Sequence, residues 1–438
     1  MAQLAPVRPL VGFLVAAPAS GSGKTVVTTG LVAALARRGL AVSPAKVGPD
    51  YIDTAFLSAA AGTPAVNLDL WAMRGGLFDR LAARPGLVVE GVMGLFDGPA
   101  SGIGSSADVA RRLGLPVILV VSAERMSHSV AALVHGFATF DPALRVAGAI
   151  LTKVASERHE GMLREALARG GVACLGALRR DAALALPSRH LGLKQAREAA
   201  DLATRIATIA DRVEASCDMD AVAALLDGPS VTPAARPADA AAPLPPLAQS
   251  IAIASDDAFS FVYTHIMDGW RAAGAELSFF SPLAGEAPPP GSGAVFLPGG
   301  YPELFAGRLA ATRAWADGLA ARAAEGALIY GECGGYMALG EGLVDGEGER
   351  HEMAGLLPVT TSFTAPRRRL GYRVLSQAGG PLAAWPARLR GHEFHYAGVD
   401  TEGPPLFRAE DAAGVPLGPM GTTVGRVAGS FAHLIDAA

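Results

Sequence analysis

Residues 16–25 read AAPASGSGKT, and this stretch decides the fold of the N-terminal half. The apolar run Gly12–Ala16 in front of it has the length of a buried strand. The run behind it, Thr25–Arg38, is rich in Ala, Leu and Val and predicts a helix. A glycine-rich loop between a strand and a helix is the context a phosphate loop requires. Gly21 and Gly23 let the backbone curl so that successive N–H groups face phosphate oxygens, and the helix N-terminus adds its dipole. Ser20, Gly21, Ser22, Gly23, Lys24 and Thr25 are therefore the expected ATP-binding residues. Lys24 would face the β- and γ-phosphates, and the Thr25 hydroxyl would face Mg²⁺. Pro18 stands where the strict pattern has its first glycine.

Outward from this loop, the predicted strands are Gly12–Ala16, Leu40–Lys46, Leu87–Glu90, Val117–Val121 and Ala147–Leu151, separated by helical stretches. Apolar strands alternating with helices imply a mostly parallel sheet covered on both faces. Helical periodicity continues through Ala196–Leu226. Residues 228–249 are then dominated by Pro, Ala, Ser and Thr, the composition of a linker. The chain has 438 residues, more than one core usually organises. It divides into an ATP-binding domain over 1–227, the linker 228–249 and a second α/β domain over 250–438.

Carboxylates follow where a metal would need them. GPDYID places Asp50 and Asp53 after the second strand, and VVEGVMGLFDG puts Glu90 at a strand tip with Asp97 on the same loop. Strand tips converge on the ligand crevice of an open parallel sheet, and Mg²⁺ prefers carboxylate and phosphate oxygens. The alternative for Asp53 and Asp97 is a role as helix cap or turn former.

In the second domain, ALIYGECGG at 327–335 runs from an apolar strand into a glycine-flanked Cys333 and then a helix. This is a nucleophile elbow with cysteine in place of serine. A helix N-terminus behind the thiol predicts a lowered thiol pKa. Cys174 and Cys217 lack that setting and read as ordinary buried thiols. The candidate bases are His265, His351, His392, His395 and His433, with His433 in GSFAHLID and the GHEFHYAG pair as main rivals. Gly299 and Gly300, in LPGGYPE after a strand, are the candidate oxyanion-hole element.

The 37 basic and 41 acidic residues leave a formal net charge of −4, which carries no electrostatic footprint for nucleic acid or an anionic membrane. Three scattered cysteines imply neither a disulfide framework nor a zinc site. The apolar start at Val11–Ala17 is too short to span a bilayer and reads as a first strand. A soluble, cytoplasmic protein is expected.

Taken in order, AAPASGSGKT, KVGPDYID, VEGVMGLFDG, LPGGYPE, YGECGGYMALG, RRLGYR and GHEFHY resemble the cobyrinic/hydrogenobyrinic acid a,c-diamide synthases of cobalamin biosynthesis over nearly the whole chain. The resemblance implies a P-loop, dethiobiotin-synthetase-like domain followed by a flavodoxin-like class I glutamine amidotransferase domain. It implies ATP as co-substrate, Mg²⁺ as cofactor, and a corrinoid and L-glutamine as substrates. Cys333 and His433 become the catalytic pair, Thr25, Asp50 and Glu90 the metal ligands, and Asp53 and Asp97 substrate or intermediate contacts. Ordinary class I enzymes carry an acidic residue two positions after the histidine, whereas Ile435 stands there in this chain. Thr152 stands where related enzymes often show Asn near the nucleotide base. Cobyric acid synthase-type amidation is the nearest alternative, and a partitioning-type ATPase a more distant one that would have no use for the elbow. A homodimer and the presence of cobalt in the substrate are left open.

Overall fold

The computed structural model describes residues 11–100, 102–186, 188–189, 192–193, 201–226, 243–399 and 403–438. The chain forms two compact units. One comprises 1–71 and 75–240, the other 72–74 and 241–438. Most of the Pro/Ala-rich stretch 228–249 lies outside the described residues.

The first unit is built on seven strands: β1 (Gly12–Ala16), β2 (Ser43–Val47), β3 (Val66–Leu68), β4 (Leu87–Glu90), β5 (Val117–Ser122), β6 (Val146–Val154) and β7 (Cys174–Arg179). They form one sheet in the order β3-β2-β4-β1-β5-β6-β7, and every pairing in it is parallel. Every residue of β1 and β4 is buried, which explains their continuous apolar sequence. Helix α1 (Lys24–Arg37) lies over the sheet and packs Val27, Leu31 and Leu35 into the core. There they meet Ile206, Ile209 and Val213 of α2 (Leu202–Ser216). The second predicted strand begins three residues later than expected, and the fifth extends to Val154. Strands β3 and β7 were not anticipated, because β3 is three residues long and β7 carries Cys, Gly and Arg among its apolar residues.

The second unit contains β8 (Ser250–Ala254), β9 (Glu276–Phe280), β10 (Ala294–Leu297), β11 (Leu328–Glu332), β12 (Arg369–Gln377), β13 (Arg388–His395), β14 (Phe407–Glu410), β15 (Pro416–Met420), β16 (Thr422–Val424), β17 (Val427–Ser430) and β18 (Ala432–Ala437). A six-stranded sheet runs β9-β8-β10-β11-β17-β16, parallel except for the edge hairpin β16–β17. Beside this α/β core stands an antiparallel sheet, β15-β14-β12-β13-β18. It brings the GHEFHY strand alongside the strand that carries His433. A flavodoxin-like expectation contains no such sheet.

Candidate active sites

In the first unit the phosphate loop follows β1, with Gly21 at φ 79° and Gly23 at φ 91°. Those left-handed angles favour glycine and turn the chain into α1 without a side-chain cap. Ser22 Oγ donates to the Ala19 carbonyl at 2.9 Å, bracing the loop. Lys24 Nζ is folded onto the Met93 carbonyl at 2.5 Å. Burial, and secondarily the charge of Lys46, pulls its pKa down to about 8.

The strand tips bring the carboxylates together. Lys46 on β2 and Glu90 on β4 are register partners. Lys46 Nζ donates to Glu90 Oε1 at 3.0 Å and to Asp53 Oδ2 at 2.6 Å, while Thr25 Oγ1 donates to Glu90 Oε1 at 2.7 Å. Burial lifts the Glu90 carboxyl to about 7. Burial would by itself lower the Lys46 ammonium, but Asp53 and Glu90 outweigh it and hold it above its ordinary value. Thr25, Asp53 and Glu90 therefore share one cluster. Asp50 sits behind it, where its Oδ1 accepts the Ile52 and Asp53 N–H groups at 2.9 and 3.0 Å. Asp97 lies on the loop after β4 and accepts from Gly94 N at 2.9 Å. Lys46 is a residue that sequence reasoning missed. KVGPDYID displayed it, but only the β2–β4 pairing reveals that it faces Glu90.

The cluster offers oxygen donors of the kind a hard divalent cation takes. Glu90 Oε2 is buried without a hydrogen-bond partner among the described residues, which suits a ligand oxygen awaiting a cation. Next to the loop, a cleft of about 460 Å³ is lined by Gly23, Val26, Thr152 and Leu178 among others. Thr152 directs its hydroxyl to the Ser22 carbonyl at 2.8 Å, so it supports the loop's backbone.

In the second unit β11 ends at Glu332 and the chain turns at Cys333, whose φ of 48° and ψ of −106° are strained for a residue with a side chain. The turn is anchored by Cys333 N donating to the Ser430 carbonyl at 2.8 Å. The helix behind it is only Gly334–Leu339. The thiol is buried and 3.8 Å from the Phe394 carbonyl. Burial, followed by the charge of Glu303, pushes its pKa up, against the lowering that the sequence suggested. Desolvation outweighs the dipole of a six-residue helix.

His433 is fully buried on β18. A Cβ built on Gly299 would lie 3.0 Å from His433 Nε2, 2.3 Å from its Cε1 and 3.2 Å from Cys333 Cβ. Thus the Cε1–Nε2 edge of the imidazole and the Cys333 side chain both border the small space beside Gly299. The opposite ring nitrogen, Nδ1, lies 3.8 Å from Glu332 Oε2. Burial lowers the imidazole to about 3, with His392 and His395 adding to the effect. The amide nitrogen of Gly300 stands 2.9 Å from where a Cβ on Gly334 would be, so it abuts the elbow.

The rival histidines are differently engaged. His392 is the cross-strand partner of His433, and burial lowers it to about 4. His395 Nε2 is 2.8 Å from Glu393 Oε1, and its ring stacks on Phe431 at 3.7 Å. Glu393 also accepts from Arg373 Nε at 2.6 Å. His265 Nε2 meets the Ile435 carbonyl at 2.9 Å, and His351 pairs with Asp345 at 2.9 Å. The motif that carries the rival histidines also supplies the Phe394 carbonyl as a thiol neighbour.

Residues 13–193 match the model of the CobQ/CobB/MinD/ParA nucleotide binding domain, and residues 250–438 that of the CobB/CobQ-like glutamine amidotransferase domain. Curated relatives align across both regions. Hydrogenobyrinate a,c-diamide synthase of Brucella suis biovar 1 (strain 1330) is 52% identical over 97% of this chain and 98% of that protein. The chain belongs to the hydrogenobyrinate a,c-diamide synthase family. Other synthases of the same name extend the match: that of Rhizobium meliloti (strain 1021) is 52% identical over 97% of this chain and 99% of its own length. The Rhodobacter capsulatus synthase is 49% identical over 97% and 98%. Like these synthases, the chain is a glutamine-dependent amidating ligase that uses ATP. Among the described residues no helix is long and apolar enough to cross a membrane.

Proposed function

We propose that this synthase converts the a and c side-chain carboxylates of hydrogenobyrinic acid into carboxamides, using ATP and L-glutamine, in cobalamin biosynthesis. The observation that carries the reading is the pairing in one chain of a phosphate loop facing a buried Thr25–Asp53–Glu90–Lys46 cluster with a Cys333–His433 elbow. Synthases of that name align with both halves of the chain. A partitioning-type ATPase would have no use for the second unit.

In the glutaminase half, Cys333 Sγ attacks the side-chain amide carbon of glutamine while His433 Nε2 takes the thiol proton and then gives it to the departing nitrogen. Ammonia leaves and a γ-glutamyl thioester remains. Water, activated by the same imidazole, hydrolyses it to glutamate and restores the thiol. Backbone amides at Gly299 and Gly300 would receive the oxyanion. In the ligase half, the γ-phosphoryl group of ATP passes to a substrate carboxylate oxygen, giving ADP and an acyl phosphate. Ammonia displaces phosphate to form the amide. Carboxylate is a poor electrophile, and the acyl phosphate supplies the leaving group it lacks.

Residues 20–25 hold the triphosphate, with Lys24 released from the Met93 carbonyl to face it. Thr25 and Glu90, together with Asp53 or Asp50, would hold Mg²⁺. When bound, that ion would neutralise charge developing on the transferring phosphoryl group. Asp97 and Asp53 border the place where the carboxylate must lie. The setting is cytoplasmic, where glutamine and ATP are supplied.

Two nitrogen sources separate the halves experimentally. Cys333→Ser should abolish amidation from glutamine and retain it with added ammonium. Equal loss of both in a folded variant would contradict a two-site enzyme.

A further inference from the structure

His433 has no carboxylate two positions downstream, since Ile435 is there. An imidazole base in a buried site needs something to fix its tautomer: Nδ1 must carry the proton so that Nε2 can accept the thiol's. The structure supplies a candidate from a different direction. Glu332, the residue immediately before the nucleophile, has its Oε2 3.8 Å from His433 Nδ1. Its other oxygen, Oε1, accepts the Leu434 N–H at 3.1 Å, which fixes the carboxylate against the strand bearing His433. The opposite ring nitrogen, Nε2, borders Gly299, 3.0 Å from where a Cβ there would stand, and Cys333 Cβ lies 3.2 Å from the same point. Glu393, a further buried acid on the neighbouring strand, is committed to Arg373 and His395.

We infer that Glu332 is the positioning residue of the glutaminase site: its carboxylate accepts the Nδ1 proton of His433 and so leaves Nε2 as the acceptor of the Cys333 proton. The inference rests on the reading of Cys333 and His433 as nucleophile and base. A separation of 3.8 Å is longer than a formed hydrogen bond, and such contacts commonly tighten when substrate is bound. The arrangement also balances the transfer. As the thiol proton moves to Nε2 and the sulfur electron pair attacks the amide carbon, the imidazolium that forms finds a counter-charge at Nδ1. Placing that acid one residue before the nucleophile ties both to the end of β11, so no separate loop has to position it. Burial raises Glu332 to about 8, so its ionised, accepting form is disfavoured in the free site at neutral pH and is stabilised once the imidazole beside it becomes charged.

The test combines kinetics with histidine NMR on the full-length enzyme. Glu332→Gln, which keeps an oxygen for the Leu434 N–H, should lower the glutaminase kcat by about 10²-fold or more. The KM for glutamine and the unfolding midpoint should stay near wild type, and Glu332→Asp should recover part of the rate. Spectra of ¹⁵N-histidine-labelled wild-type enzyme should show His433 as the Nδ1–H tautomer, and Glu332→Gln should lose that preference. A kcat within about threefold of wild type in Glu332→Gln would overturn the assignment. So would an Nε2–H tautomer in the wild-type enzyme, a measurement that stands even where a variant fails to fold. Cys333→Ala separates the two levels of the claim. Glutaminase activity persisting there would defeat the site itself, whereas loss there with full activity in Glu332→Gln would defeat only the role of Glu332.

Discussion

At the scale of single residues, burial sets the protonation of both sites, and two pH profiles follow from it. Burial pushes the Cys333 thiol up and the His433 imidazole down to about 3. The resting pair is therefore a neutral thiol beside a neutral imidazole, and the thiolate forms when substrate draws the proton across. Alkylation of Cys333 in the free enzyme should be slow at pH 7 and climb only above the ordinary thiol value of about 8.5. A reactive plateau already present at pH 6 would mean a preformed ion pair instead. Lys24 behaves in the opposite sense. Burial and Lys46 bring it to about 8, so it is charged below that pH and loses its charge as pH rises through it. ATP affinity should accordingly weaken between pH 7 and 9, and Lys24→Arg, whose guanidinium stays charged, should flatten the profile. Titration calorimetry would show either outcome. Gly299 makes a steric prediction. A methyl group there would stand 2.3 Å from the His433 ring, so Gly299→Ala should displace the base and suppress glutaminase activity while ATP binding is retained.

Pairing between elements explains what was and was not legible in the sequence. The loop after β1 and the elbow after β11 are local devices: a strand, a tight turn and a helix in direct succession. AAPASGSGKT and YGECGG could be read directly for that reason. Lys46 could not. Its importance comes from the parallel β2–β4 register that sets it beside Glu90, a long-range pairing that no local pattern encodes. The same holds for the GHEFHY strand, which the antiparallel sheet places next to His433, and for Glu332, visible in the sequence only as the residue before the cysteine. Asp50 illustrates a local competition, because its carboxylate serves the N-terminal turn of the helix Ile52–Ala61. Lys46→Met tests the cluster as a unit. Removing the cation leaves Asp53 and Glu90 buried without it, a change that typically costs about 3–5 kcal/mol. The unfolding transition should come earlier, and added Mg²⁺ should recover part of the loss. An unchanged transition would show that the ion pair contributes little.

For the whole molecule, the two units divide the chemistry into a nitrogen supply and a carboxylate activation. The division predicts a pattern complementary to that of Cys333→Ser. Lys24→Ala should remove amidation from either nitrogen source, by on the order of 10²–10³-fold for a lost charge contact at the transferring phosphoryl group, while glutamine hydrolysis continues. The most direct measurement offers the purified enzyme hydrogenobyrinic acid, ATP, Mg²⁺ and glutamine labelled with ¹⁵N at the side-chain amide, and reads the product by mass spectrometry. The predicted product bears two ¹⁵N carboxamides, at positions a and c, with one ATP consumed for each. A product with unlabelled nitrogen, with no amide, or with amides on other side chains would contradict the account.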